Sequence, residues 1–366
     1  MNYSLDEKMI IWLDMFDFLT IEKRHHILSC YETPQEVFSC FKQDYQLFSK
    51  LITLQQFETM CSALSIDIID NHILNLENKN IKILTYLTNG YPHQFTNFYH
   101  YPLVLYCKGD VSLIGTTAIA IVGTRKASKY GVFVTEKLTK ELVQNNITII
   151  SGMASGIDTV AHYTALKNGG KTVAVLGSGF DEIYPKANYQ LYEQIASQGL
   201  VVTEYLPSMP ALAHNFPVRN RIIAMLSNGV LMTEAGIKSG AHYTVDYGIE
   251  YGKEIFAVPG NIDSYSSQGC NLLLKRYNTS LVTCADDILN VLGIDNKSQK
   301  VSKSVQLSLE EQTILNVLGN DELFFDEIVS QTKFDTKTCV RLLTTLELAG
   351  IIKKSAGNFY SRIILD

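Results

Sequence analysis

The sequence predicts an α/β protein: a doubly wound, mostly parallel sheet flanked by a small N-terminal helical domain and a C-terminal winged-helix-like domain. Three observations predict it. Apolar residues near the N-terminus recur at helical spacing, short apolar runs alternate with helical stretches through the middle of the chain, and a final segment opens on a capping signal and closes on a hairpin pattern.

The N-terminal reading rests on Met9, Trp12, Leu13 and Phe16, which fall at i, i+3, i+4 and i+7, the stripe of an amphipathic helix. In Thr33-Pro34-Gln35-Glu36, Thr33 suits an N-cap, Pro34 the first helical position and Glu36 the reciprocal carboxylate of a capping box. Residues 1–75 are expected to form this domain.

From Ile81 the pattern changes. The runs Ile119–Val122, Ile147–Ile150, Thr172–Leu176, Leu200–Val202, Val230–Met232 and Ile255–Val258 are separated by glycine-rich turns and helical stretches. That alternation gives parallel strands joined by crossover helices, an extended Rossmann-like sheet over residues 76–292. Gly123-Thr124, Ser151-Gly152 and Gly177-Ser178-Gly179 close several runs and place small-residue loops at the carboxyl edge, where open α/β sheets bind ligands.

Residues 293–306, beginning Gly293-Ile294-Asp295-Asn296-Lys297-Ser298-Gln299-Lys300, lack an apolar period and read as a linker. In the segment 307–366, Ser308-Leu309-Glu310-Glu311 forms a second capping box, with Ile314, Leu315 and Leu318 on its helix face. Phe325–Gln331 and Thr336–Leu348 give two more helices, and Gly350 to Tyr360 a β-hairpin, the elements of a winged helix.

A chain of 366 residues with 46% hydrophobic and 19% charged residues can bury one large core or two to three ordinary ones. The opening Met1-Asn2-Tyr3-Ser4-Leu5-Asp6-Glu7 has no signal-peptide pattern, and no apolar run approaches the ~18 residues of a membrane span. A cytoplasmic protein is expected. The seven cysteines contain no C-x-x-C pair, so zinc and a disulfide framework are not expected. A net charge of −6 argues against coating nucleic acid by bulk electrostatics, so any DNA site must be a local patch.

Enzyme signatures fail on inspection. Gly170-Lys171-Thr172 mimics the end of a phosphate-binding P-loop, but it precedes a strand where that loop must follow one, and position 165 is Ala. A dinucleotide site needs G-x-G-x-x-G after the first strand; here stands Gly123-Thr124-Arg125-Lys126-Ala127. Gly152-Met153-Ala154-Ser155-Gly156 is not a nucleophile elbow. His162 and Asp158 read as local packing and capping, with nothing nearby to complete an acid–base set. No cofactor and no metal ion are predicted.

What remains suits phosphates and bases. In Gly123-Thr124-Arg125 a glycine admits backbone to a phosphate, a hydroxyl donates and a guanidinium clamps two oxygens. The loop Ser151, Gly152, Ser155, Gly156 leads into a helix, so its free N–H groups are expected at the same edge. Lys186, after Tyr184-Pro185, can add a cation. His214-Asn215-Phe216-Pro217-Val218-Arg219-Asn220-Arg221 joins an aromatic ring to guanidiniums, the combination that holds single-stranded DNA; the alternative for Phe216 is a core anchor. Arg219 and Arg221 are two apart, nearly opposite on a helix, so at most one faces DNA, and Arg219 is expected outward.

These residues resemble the DNA-processing protein A family, also called DprA or Smf. The resemblance runs from Tyr91-Pro92 and Pro102–Asp110 through Ile121–Arg125, Ser151–His162, Leu176–Gly179 and Tyr184-Pro185. It continues through Phe216–Ser227, Glu234-Ala235, Ser239-Gly240 and Val258-Pro259-Gly260 with Gly269 and Asn271. It implies a non-enzymatic protein that binds single-stranded DNA, forms a homodimer and helps load the RecA recombinase onto incoming strands in natural transformation. It also implies an N-terminal domain of SAM or helix-hairpin-helix type, phosphate contacts at Arg125 and Lys186, and base stacking at Phe216. Residues and resemblance together give the expected DNA-binding set Gly123, Thr124, Arg125, Ser151, Gly152, Ser155, Gly156, Lys186, Phe216, Arg219, Asn220, Arg221, Ser239 and Gly240. The implied dimer surface lies between Tyr247 and Tyr277.

The sequence departs from the family pattern at Ser155, where an arginine is frequent, and at Ala241-His242-Tyr243-Thr244, where Ser-Leu-Ile-Thr is usual. Residues 301–366 hold seven Lys/Arg against nine Asp/Glu, a net of −2, and the recognition helix offers only Lys337 and Arg341. A protein-binding or structural role for that domain is therefore expected over duplex reading. The rival reading is a phosphoribohydrolase-like enzyme that binds a nucleotide. Its P-G-G-x-G-T-x-x-E signature is missing; Thr233-Glu234-Ala235-Gly236-Ile237-Lys238 stands in its place.

Overall fold

The computed structural model describes residues 3–276, 278–294, 307–319, 322–348, 351–355 and 357–362. The expected linker lies almost wholly outside the described residues. The chain forms two compact units, 1–297 and 298–366.

The first unit begins with helices α1 (Leu5–Asp14), α2 (Ile21–Ser29), α3 (Glu36–Cys40), α4 (Tyr45–Phe48), α5 (Leu54–Ala63) and α6 (Ile66–Asn78). Side chains start most of the longer ones: Ser4 with Glu7 and Thr53 with Gln56 form capping boxes, and Thr20 accepts from the Lys23 N–H. The box expected at Thr33 does not form. The Glu36 N–H still donates to Thr33 O in a tight turn, so α3 starts later, and the Glu36 carboxylate accepts from the Glu32 N–H instead.

Nine strands make one sheet, in the order β1-β2-β6-β5-β4-β3-β7-β8-β9. They are β1 (Lys82–Thr85), β2 (Val104–Gly109), β3 (Ala118–Gly123), β4 (Thr148–Ser151), β5 (Thr172–Val175), β6 (Leu200–Thr203), β7 (Gly229–Glu234), β8 (Glu254–Ala257) and β9 (Thr279–Leu281). Strands β6 to β9 and everything between them pair in parallel, while β2 runs antiparallel to both of its neighbours. The six expected strands are β3 to β8; the antiparallel end was not legible, because β1 and β2 lie in no strand–helix alternation.

The crossover helices are α7 (Lys129–Gln144), α8 (Ile157–Lys167), α9 (Tyr189–Gln198), α10 (Asn215–Leu226), α11 (Ala241–Glu250) and α12 (Gln268–Leu273), and α13 (Ala285–Val291) follows the last strand. Alternation along β3 sorts them into layers. Ile119 and Ile121 pack with Leu138, Leu142 and Ile288 of α7 and α13, while Ala118, Ala120 and Val122 pack with Ile222, Ile223 and Val245 of α10 and α11.

The N-terminal helices do not stand apart from the sheet. Trp12, Phe41 and Phe48 share a core with Tyr106, Ala174, Leu176, Leu191 and Val201. A buried polar knot fixes the join: Asp14 on α1 accepts from Arg24 at 2.5 Å and from the Tyr106 hydroxyl of β2 at 2.8 Å. The boundary at residue 75 thus falls inside one compact unit.

The second unit contains α14 (Leu309–Leu318), β10 (Leu323–Phe324), α15 (Phe325–Thr332), α16 (Thr336–Leu348), β11 (Ile352–Ser355) and β12 (Phe359–Arg362). The strands pair in the order β10-β12-β11. Ser308 and Glu311 make the expected capping box, and Ile314, Leu315 and Leu318 enter a core with Ile328, Leu342, Leu346 and Tyr360. It is a winged helix.

Candidate nucleic-acid interface

Strand β3 is the switch point of the sheet: successive strands run one way to β4, β5 and β6 and the other way to β7, β8 and β9. The loops after β3 and β7 therefore part at their carboxyl ends and leave a crevice. A cleft of about 480 Å³ occupies it, lined by Gly123, Thr124 and Arg125 from the first loop and Gly236, Lys238, Ser239 and Gly240 from the second. Helix α10 supplies Phe216, Arg219 and Asn220, and Asp158 reaches in from α8. A smaller pocket continues the surface over Arg125, Gly152, Ser155, Tyr184 and Phe216.

Close packing of the two glycine loops sets the floor. Gly156 has φ +80°, and a Cβ there would strike the Thr124 carbonyl oxygen, so only glycine lets the second loop close on the first. The Ile157 N–H then donates to Thr124 O at 3.2 Å. Ser151 is buried and its hydroxyl donates to Ile121 O at 2.6 Å, so it ties β4 to β3 and presents nothing to the cleft.

The N–H groups of the second loop are not all free. The Asp158 carboxylate accepts from the N–H of Gly152 at 3.1 Å and of Ala154 at 3.3 Å. Arg219 grips the other side of the same residue, donating to Gly152 O at 2.8 Å and to Val175 O. Burial pushes the Asp158 carboxyl up to about 6, against the pull of Arg219, and pushes Arg219 down to about 10.

Arg219 is therefore not outward: only 4% of it is exposed, and its guanidinium is spent on backbone carbonyls at the base of the cleft. Arg221 is equally buried and pairs with Glu204 at 2.5 Å, away from the cleft. The helical argument correctly separated the two faces of α10. It failed because both faces of this helix are covered, one by the sheet edge and one by the segment after β6.

Phe216 is half-buried and takes part in both readings weighed for it. Its ring lines cleft and pocket, meets Tyr184 at 5.4 Å between centroids, and lies 6.0 Å from the Arg219 guanidinium carbon. Asn220 donates to Gly240 O at 3.4 Å, joining α10 to the loop after β7. Arg125 and Ser155 are exposed. Lys186 is exposed too, but lies outside the cleft lining; its turn is anchored two residues on, where Asn188 donates to Met153 O at 2.9 Å.

Lys238, Tyr243 and Tyr265 line the cleft without having been expected there. Lys238 was legible in principle, as a cation between Gly236 and Gly240 after a strand. The tyrosines carried no local signal, because only folding brings α11 and the 265–267 turn beside β3. Glu234, the acid that the hydrolase reading needs, is 1% exposed and accepts from the Ser128 N–H and from the hydroxyls of Ser128 and Ser266. It sits at the N-terminus of α7, where a helix favours negative charge. No helix among the described residues is long and apolar enough to cross a membrane, and no group of three His, Cys, Asp or Glu among them is arranged to hold a metal ion.

Sheet, switch point and cleft define a Rossmann-like α/β protein that gathers cations, hydroxyls and an aromatic ring at one carboxyl edge. The family model for DNA recombination-mediator protein A matches residues 82–293, and that for the DprA winged helix domain matches residues 299–358. The chain belongs to the DNA-processing protein A (DprA/Smf) family. It is 41% identical to DNA processing protein DprA of Streptococcus pneumoniae over 221 residues, 60% of this chain and 78% of that one. To protein Smf of Escherichia coli it is 33% identical over 300 residues, 80% of each. The X-ray structure of the S. pneumoniae protein superimposes with a TM-score of 0.57 at 33% identity, covering 74% of this chain and 98% of that one. A structure of DNA processing protein A from Helicobacter pylori, described for its unique single-stranded DNA binding mode, gives 0.53 at 31% identity, covering 58% and 95%.

Proposed function

We propose that this protein binds single-stranded DNA in the switch-point cleft, without altering it chemically, and helps load RecA during DNA uptake and recombination in the cytoplasm. The observation that carries the reading is the convergence in one cleft of Arg125, Lys238, Ser239 and the Phe216 ring. Exposed cations and hydroxyls suit phosphates, and a half-exposed ring suits a base of any identity. Arg125 and Lys238 are the phosphate contacts at the cleft, with Lys186 further along the strand, and Phe216 is the stacking residue. Gly123, Thr124, Gly152, Ser155, Gly156, Asn220 and Gly240 shape its wall. Ser151, Arg219 and Arg221 act from within the fold.

A non-catalytic role is supported by Glu234, whose carboxylate is already committed to three hydrogen bonds at the start of α7. The resemblance supplies RecA as partner. A homodimer through the later part of the sheet domain, from Tyr247 toward Tyr277, accords with the exposed Ile249 and Leu272 there; Tyr277 itself lies outside the described residues. The winged helix serves a protein or structural role: of the two cations on α16, Arg341 is held by Glu310 at 3.1 Å.

Fluorescence anisotropy of labelled oligo-dT and its duplex, titrated at several salt concentrations, tests the reading. Tight, salt-sensitive binding of the single strand is expected. Arg125→Ala should weaken it and lower the salt slope by ~0.7, one phosphate's share. Folded protein that binds no single strand at low salt, or that releases ribose 5-phosphate from adenosine monophosphate until Glu234 is replaced, overturns it.

A further inference from the structure

A second groove, of about 820 Å³, lies between α2 and the segment 96–101 before β2, and the cleft does not use it. Its outstanding member is Tyr99, whose ring is 80% exposed although it sits on a firm base. The ring lies beside the His100 imidazole, 3.6 Å between centroids and tilted 49° to it. His100 holds a left-handed backbone, φ +54°, a conformation that needs support from its surroundings in any residue but glycine.

That support is present. His25 on α2 is within hydrogen-bonding distance of Tyr101 O at 2.8 Å and packs edge-on to the Tyr101 ring at 4.6 Å. Behind the segment, Phe98 lies against Tyr251 at 4.3 Å and under the Lys253 ammonium at 5.9 Å. The turn, held by these contacts, thus presents the Tyr99 ring to solvent with the mostly covered His100 imidazole tilted beside it. An exposed aromatic on a rigid mount loses little side-chain freedom when it binds.

The rest of the lining decides the kind of occupant. Asn97 offers an exposed amide and Lys23 a cation, while the hydroxyls of Thr96 and Ser29 already donate to His93 O and His26 O, both at 2.8 Å, and keep only their oxygens to accept. The lining mixes these groups with apolar surface from Leu51, Phe98 and Tyr101, and an exposed aromatic ring sharing a groove with a cation is the combination that takes a base together with its phosphate. The acid in the groove, Glu22, faces His100 at 3.9 Å, and its carboxyl is held below the usual range by the Thr20 hydroxyl. A phosphate consequently belongs on the Lys23 side, and the base on Tyr99.

From this geometry we infer that the groove between α2 and the 96–101 segment is a second single-strand contact, stacking one base on Tyr99–His100 with a phosphate on Lys23. The inference rests on the single-strand reading of the cleft. Oligo-dT carrying 5-iodouracil, irradiated with full-length protein and mapped by mass spectrometry, should yield adducts at Tyr99 as well as near Phe216. In anisotropy with long oligo-dT, Tyr99→Ala should weaken binding about fivefold or more, the lower end of what stacking one base supplies. Tyr99→Phe should retain wild-type affinity, and Lys23→Ala should lower the salt slope by ~0.7.

Adducts near Phe216 with none at Tyr99, and unchanged affinity of Tyr99→Ala, would overturn the second contact and leave the cleft standing; the groove would then belong to a protein partner. Absence of adducts at both places would overturn both readings. Because Tyr99 is mostly exposed, its replacement leaves the core intact, and the crosslink on unmodified protein gives an answer independent of any variant.

Discussion

At the scale of single residues, the cleft separates side chains that touch a ligand from those that shape the surface. Phe216→Ala should weaken oligonucleotide binding with little change in salt slope, since stacking releases few counterions; a variant that unfolds instead would make Phe216 a core anchor. Gly152 illustrates the second class. A Cβ there would lie 2.6 Å from an Arg219 nitrogen and 3.0 Å from the Asp158 carboxylate, so neither partner can give way without leaving the other unpaired. Gly152→Ala should lower stability by ~1–3 kcal/mol, the usual cost of overpacking, read as a denaturation midpoint.

Asp158 gives a pH signature. Its folded carboxyl is raised to about 6, from 3.8 as an ordinary aspartate. Between those values the folded protein holds a proton that the unfolded chain has released, so this group's contribution to stability falls as pH rises and is level above about 6. Denaturation midpoints measured from pH 4 to 7 should show that decline in wild-type protein relative to Asp158→Asn. Parallel profiles would mean that Arg219 keeps the carboxylate ionised throughout.

At the scale of elements, α10 joins the parts of the fold. One side carries Phe216 and Arg219 to the cleft; another buries Arg221 against Glu204, both more than nine-tenths covered. Removing one member leaves the other charged and unpaired inside the protein, at a cost of ~3–5 kcal/mol, whereas replacing both with apolar residues of similar size is much milder. Glu204→Leu and Arg221→Met singly, and then together, should show this non-additivity in chemical denaturation. Equal and additive losses would show that the pair acts through packing alone.

At the scale of the whole molecule, the two units should respond differently to truncation. Residues 307–366 own a complete small core around Ile314, Leu318, Leu342 and Tyr360, so deleting them should leave the melting temperature of the first unit unchanged. Deleting residues 1–78 would strip Trp12, Phe41 and Phe48 from Tyr106, Leu176 and Leu191 and leave the Tyr106 hydroxyl without Asp14. That truncation should aggregate or melt far below the full chain in a thermal scan. A soluble product with the same midpoint would show that the sheet completes its core alone.

The sequence by itself determined the fold class, because strand–helix alternation and small residues at strand ends are local patterns that directly encode a parallel sheet with loops at its carboxyl edge. It also placed Gly123, Thr124, Arg125, Phe216, Ser239 and Gly240 at that edge, since each ends or follows a strand or opens a helix; Asn220 came with them as a neighbour of Phe216 on the same helix. Only the tertiary structure decided what covers what. The burial of Arg219 and Arg221, the arrival of Tyr243 and Tyr265, and the fusion of the N-terminal helices to the sheet all depend on neighbours distant in the chain. The spacing along a helix tells which side chains share a face. It does not tell which face another element will cover.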